Sequence, residues 1–137
     1  MSDNQFEPRD FRGAIGQFPT GVTVITTIDK NGEPIGCTAS SFNSVSMDPP
    51  LLLWSVDKKA FSAPVFEQAE YFAINVLSES QVAISNQFAG RGKDKFKDVL
   101  YSQGKEGVPL LEGCGAQFEC KTWNVYEGGD HLIIVII

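Results

Sequence analysis

Apolar residues in this chain gather in runs of strand length, and turn residues separate the runs. TGVTVITTI is rich in β-branched residues, with Val22, Val24, Thr26 and Ile28 on one face and Thr23, Ile25 and Thr27 on the other, the alternation of a strand. In DKNGEP the Asn31-Gly32 pair signals a reversal, so a second strand should run into GCTAS and close a hairpin. LLLWSV, after a Pro-Pro stop, and YFAINVL are continuous apolar runs suited to strands buried on both faces. AQFECKTWNVYEGGDHLIIVII reads as two further strands joined across Gly128 and Gly129. Its last residues, Leu132 to Ile137, are wholly apolar but far short of the roughly 20 that a bilayer span needs, so they are expected to form a buried strand and no membrane partner is expected.

Helical signals are fewer. Phe11, Ala14, Ile15 and Phe18 lie at i, i+3, i+4 and i+7, the stripe of a short helix stopping at Pro19 and covering one end of a sheet. SAPVFEQA predicts a second helix, with Ser62 near its N-cap and Pro64 in its first turn. ESQVAISNQFA predicts a third, with Leu77, Ile84 and Phe88 able to share one face. Strands with three short helices favour a closed or partly closed barrel over a parallel doubly wound sheet. No repeat or low-complexity linker interrupts the chain, so residues 1–137 are expected to form a single domain.

A net charge of -6 argues against general nucleic-acid binding, which relies on clustered Lys and Arg. The polar, acidic start does not read as a secretory signal, and the cytoplasm is the default compartment. Cys37, Cys114 and Cys120 match no zinc spacing and the sequence holds one histidine, so no metal is expected and structural thiols are the favoured reading.

Chemistry is densest in CTASSFNSVSMDPP, where Thr38, Ser40, Ser41, Ser44 and Ser46 lie between two strands. Hydroxyls and turn N–H groups together can hold a phosphate; an ordinary Ser-rich loop explains the same residues. Neither GxGxxG nor Walker A appears. Asp48-Pro49-Pro50 stiffens the start of the next strand, either to hold a ligand in one orientation or as a simple turn. Lys58 and Lys59 could neutralise phosphate or be solvated surface lysines. His131, after Asp130 and a glycine pair, could donate a proton, contact a nucleotide, or be a satisfied polar residue at a strand end.

Taken in order, FRGAIGQFPTGVTVITT, GCTASSFNSVSMDPPLLLWSV, YFAINVLSESQVAISNQFAG, KDKF, GVPLLEGCGAQFEC and GGDH resemble the flavin reductase-like family of FMN-binding split barrels. This is the short-chain reductase family of two-component flavin monooxygenases, and the resemblance covers about residues 9 to 132. It implies a mainly β, Greek-key split β-barrel with short flanking helices, a homodimer, and an NAD(P)H:flavin oxidoreductase that passes hydride from NADH or NADPH to FMN or FAD and supplies a separate monooxygenase.

Residue by residue, the resemblance places Thr38, Ala39, Ser40 and Ser41 at the flavin's phosphate and ribityl region, and Ser44, Val45, Ser46, Asp48 and Pro49 beside its ring. It places Lys58, Lys59 and Ser62 on the phosphate side, Ser85, Phe88 and Ala89 closing over the flavin, and His131 of the GDH motif near the nicotinamide. Family members continue for some tens of residues past that motif, so this C-terminus reads as truncated. That motivates an alternative, a flavin-binding split barrel with little or no turnover.

Overall fold

Strand pairing follows the short apolar runs. In the computed structural model, which describes residues 7–17, 21–90 and 94–137, β1 (Thr23–Ile28) and β2 (Pro34–Ala39) form an antiparallel hairpin with Ile28 opposite Pro34. Asp29 builds its turn: Oδ1 accepts from the backbone N–H groups of Asn31 (2.8 Å) and Glu33 (2.9 Å), and Gly32 adopts φ +81°, which side chains with a Cβ rarely tolerate.

The hairpin is one end of a seven-stranded antiparallel sheet in the order β2-β1-β5-β8-β9-β4-β3. Its other members are β3 (Asn43–Met47), β4 (Pro50–Asp57), β5 (Tyr71–Val76), β8 (Ala116–Gly128) and β9 (His131–Ile136). The short strands β6 (Tyr101–Gln103) and β7 (Pro109–Leu111) pair with each other. β8 gives residues 116–121 to β5 and, beyond them, residues 122–128 to β9, so two half-sheets share one strand. The result is a mainly β split barrel with short flanking helices, α1 (Pro8–Ile15), α2 (Ala63–Gln68) and α3 (Val82–Ala89).

Burial is led by aromatics. Trp54 of β4 meets Phe66 of α2 edge-on at 4.8 Å between centroids, and Phe66 stacks on Phe72 of β5 at 5.8 Å. All three are fully buried, with Ile25, Ile74, Ile134 and Ile136 in the same cluster. A smaller cluster joins Val24, Phe88 and Leu111, with Ile84 packed against it from α3 and Leu77 from the stretch ahead of that helix, so only two of the three residues expected on one helical face are in the helix. Asn75 is the polar centre of the fold. Fully buried, its amide donates to the Val24 carbonyl (3.0 Å) and Thr26 Oγ1 (3.1 Å), and its Oδ1 accepts from the Leu111 N–H (3.0 Å) and Gln117 Nε2 (2.8 Å).

Several expectations need correction. α1 ends at Ile15 and buries none of its residues, so it does not cover the sheet among the described residues; Phe18 and Pro19 lie outside them. A stripe with two large side chains in eight residues leaves Phe11 and Ile15 more than half exposed. β5 is buried on both faces from Phe72 to Asn75, but in β4 only Trp54 and Val56 are buried, because the opposite face of β4 looks outward. The hydroxyl-rich segment is not one loop: Thr38 belongs to β2, while Ser44 and Ser46 belong to β3, an edge strand bulged at Val45. The last hairpin turns on Gly129 and Asp130, since Gly128 already pairs with His131 and Gly129 takes φ +77°.

Candidate functional site

Where the half-sheets approach without a ladder, the Ser41 side chain ties them. Ser41 Oγ accepts from the Ser55 N–H (2.9 Å) and donates to the Ser55 carbonyl (3.2 Å), joining the end of β2 to β4. Beside this tie opens a groove of about 1060 Å³, at the top of the roughly 300–1,000 Å³ range usual for small-molecule sites. One wall is β2 and its continuation, through Thr38, Ala39, Ser40 and Ser41. A second is the end of β4 with the turn after it, through Asp57, Lys59, Phe61 and Ser62, and His131 reaches the groove from β9, where it pairs with Asp57. The third is the C-terminal half of α3, with Ser85, Phe88 and Ala89, backed by Lys95 and Phe96.

Local chemistry fixes each wall. Thr38 donates its hydroxyl to the Ser85 carbonyl (2.7 Å), holding α3 against β2. A Cβ on Gly36 would lie 2.7 Å from the Phe88 ring, so only glycine lets that ring sit on β2. Lys95 Nζ donates to the Phe88 carbonyl (3.0 Å) and the Gly36 carbonyl (3.4 Å), placing a cation at the C-terminal end of α3, where the helix dipole favours one. Gln87 Nε2 anchors that lysine's own segment through the carbonyls of Lys95 (2.6 Å) and Lys97 (3.0 Å). Ser40 is exposed and its hydroxyl has no partner among the described residues. Lys59 forms no ion pair among them.

His131 is oriented by its neighbour. Its Nδ1 lies 2.7 Å from Asp130 Oδ1, and the hydrogen bond from His131, followed by its charge, holds the exposed Asp130 carboxyl below its ordinary range. An ionised carboxylate only accepts, so Nδ1 carries the proton of this bond and Nε2 is the atom left for other work.

Cys37 also lines the groove. Burial pushes its thiol up to about 12, an effect partly offset by the Lys95 ammonium, and such a thiol is a poor nucleophile at neutral pH. The sign fixes a stability prediction. An unfolded chain ionises this thiol near its ordinary 9.0 and the folded one near 12. The folded form therefore has its full advantage below pH 9 and loses it as pH rises toward 12. Cys37→Ala should flatten the fall of the urea midpoint over that window; an unchanged slope would contradict the assignment. Cys120, which burial raises to about 11, keeps part of the slope in either protein.

Of the residues expected from sequence, Thr38, Ala39, Ser40, Ser41, Lys59, Ser62, Ser85, Phe88, Ala89 and His131 line this one groove. Ser44, Val45, Ser46, Asp48, Pro49 and Lys58 do not line it. The first three sit on the edge strand β3 and the next two form its turn into β4. Lys58 is paired with Glu127 on β8. Gly36, Phe61, Lys95 and Phe96 line the groove without having been singled out; the KDKF segment was the only signal for the last two. Among the described residues no cluster of His, Cys, Asp and Glu could hold a metal ion, and no helix is long and apolar enough to cross a membrane.

Comparison with known proteins supplies the family. Residues 15–136 match the flavin reductase like domain. The chain is 47% identical over 135 residues to the stachydrine N-demethylase reductase subunit of Rhizobium meliloti, covering 98% of this chain and 59% of that protein. It is 47% identical over 127 residues to the FMN reductase (NADH) of Agrobacterium fabrum, covering 93% and 72%. The solved NADH:FAD oxidoreductase of Streptomyces globisporus, in complex with NAD and FAD fragments, superposes with a TM-score of 0.88 at 40% identity, covering 97% of this chain and 82% of that one. The chain spans about half the length of some curated relatives, 43% and 59% for two Rhizobium meliloti proteins. A matched stretch running through nearly the whole barrel makes this chain a member of the flavin reductase-like domain family.

Proposed function

We infer that the groove binds FMN or FAD and that the protein is an NAD(P)H:flavin oxidoreductase supplying reduced flavin to a separate monooxygenase. The observation that carries this reading is the convergence, from separate stretches of chain, of Ser40, Lys59, Ser62, Ser85, Phe88 and His131 on one groove. Such a lining suits a ligand that is anionic at one end and planar and apolar at the other: hydroxyls and an unpaired ammonium for phosphate, aliphatic and aromatic walls for a ring. Relatives named as an FMN reductase (NADH) and an NADH:FAD oxidoreductase support both halves of the reaction.

When bound, the flavin supplies the electron sink for hydride. The chain's own contribution is orientation. Thr38 and Lys95 fix α3 against β2, Ser41 fixes β2 against β4, and His131, held by Asp130, presents Nε2 to the reduced nicotinamide. Ser44, Val45, Ser46, Asp48, Pro49 and Lys58 enter this reading on the family resemblance alone. The same resemblance assigns a homodimer, and exposed Val45, Met47, Trp123 and Tyr126 on β3 and β8 offer apolar surface for one.

Anaerobic titration of the protein with FMN and FAD, then with NADH and NADPH, tests the reading. Flavin should bind and bleach on addition of one nicotinamide nucleotide; bound flavin that stays oxidised would leave a flavin-binding split barrel without turnover. Replacing Ser40 and Ser41 together by alanine should weaken flavin binding by about 1 to 3 kcal/mol. Full affinity in that double variant would remove the β2 end from the site.

A further inference from the structure

Phe61 is out of keeping with its surroundings. It stands 74% exposed, while Ser62 and Ala63 beside it are 7% and 4% exposed and Ala60 packs against the main core. Two consecutive turns hold it there. The Ala60 N–H donates to the Asp57 carbonyl (2.9 Å) and the Ala63 N–H to the Ala60 carbonyl (3.1 Å). The Lys59 N–H donates to Asp57 Oδ1 (2.8 Å), and the Lys58 N–H ties the turn to the Asp130 carbonyl (3.0 Å). A fixed backbone therefore presents a large aromatic ring to water at the margin of the groove it helps to line. Scattered apolar side chains on a surface need no explanation, but this one adjoins Lys59, a groove cation with no ion pair among the described residues, and the hydroxyl of Ser62.

We propose that Phe61 is a stacking platform for the adenine of FAD, making the groove prefer the dinucleotide flavin over FMN. This rests on the groove being the flavin site. If Lys59 and Ser62 take the flavin's phosphate, the adenine is tethered to that phosphate by only one further phosphate and a ribose, so it must settle close to the same turn. Aromatic faces hold purine bases by stacking, and the turn's hydrogen bonds already fix the backbone that carries this one. FMN ends at its phosphate and has nothing to place on Phe61, so the ring contributes to one flavin and not the other.

The test is equilibrium binding of FAD and of FMN to the wild-type protein, F61A, F61L and F61W. FAD affinity should fall about tenfold or more in F61A and F61L and persist in F61W, while FMN affinity stays within about twofold throughout. F61L keeps apolar bulk without an aromatic face, and separates stacking from simple burial. Equal losses for both flavins, or no loss for FAD, would overturn the proposal while leaving the groove as the flavin site. The same holds if F61A instead raises the KM for the nicotinamide nucleotide alone, or changes the sedimentation of the protein. Failure of both flavins to bind the wild-type protein would remove the underlying site assignment itself.

Discussion

Replacing His131 by alanine is expected to slow flavin reduction by NADH about 100-fold while leaving flavin affinity within about twofold, because misplacing one reactant by about an ångström costs on that order. His131 enters the groove from β9, opposite Asp57, whereas Ser85 and Phe88 enter it from α3, so the proposed flavin contacts on α3 should survive its loss. What disappears is Nε2, the ring nitrogen not committed to Asp130. Stopped-flow reduction under anaerobic conditions and a separate flavin titration distinguish the two effects. Equal losses in both would place His131 in the flavin site. Asp130→Asn should act in the same direction and more weakly, since an amide still bonds to the ring without favouring one protonated nitrogen.

Asn75→Leu should be the most damaging single change to stability outside the aromatic core, lowering unfolding free energy by about 3 kcal/mol or more, or roughly 10 °C in Tm. All four of its hydrogen bonds are internal, and they connect β1, β5, β7 and β8. Without the amide, the Leu111 N–H loses its acceptor and the Val24 carbonyl one of its donors in a site closed to water. Asn75→Asp should fare no better, because a carboxylate would face the Val24 carbonyl with no proton to give. A loss under about 1 kcal/mol by urea unfolding would mean that the network relaxes around the missing group.

How far the sequence foretold these features depends on whether each is decided locally. The β1–β2 hairpin was legible because Asp29, Asn31 and Gly32 settle its turn among themselves. β5 was legible because four successive residues are buried and nearly all are apolar. β3 was not: NSVSM is polar, its pairing is broken by a bulge at Val45, and only its partner β4 makes it a strand. β6 and β7, three residues each, carry too little periodicity to be seen.

The site divides in the same way. Lys58 and Lys59 are indistinguishable as a sequence, yet the turn sends one to Glu127 and the other to the groove. Gly36 looks like any strand glycine until the Phe88 ring arrives from 52 positions away, and Lys95 matters only because α3 ends beside it. Phe61 reads as an ordinary apolar residue, and only its fixed outward exposure sets it apart.

Because β8 bonds to β5 over its first half and to β9 over its second, the two half-sheets are continuous through one strand. The β2 and β4 walls of the groove therefore belong to one sheet, with Ser41 as a rivet across the gap between them. The rest of the groove's border, the turn after β4 and the end of α3, is held by hydrogen bonds of its own rather than by the sheet.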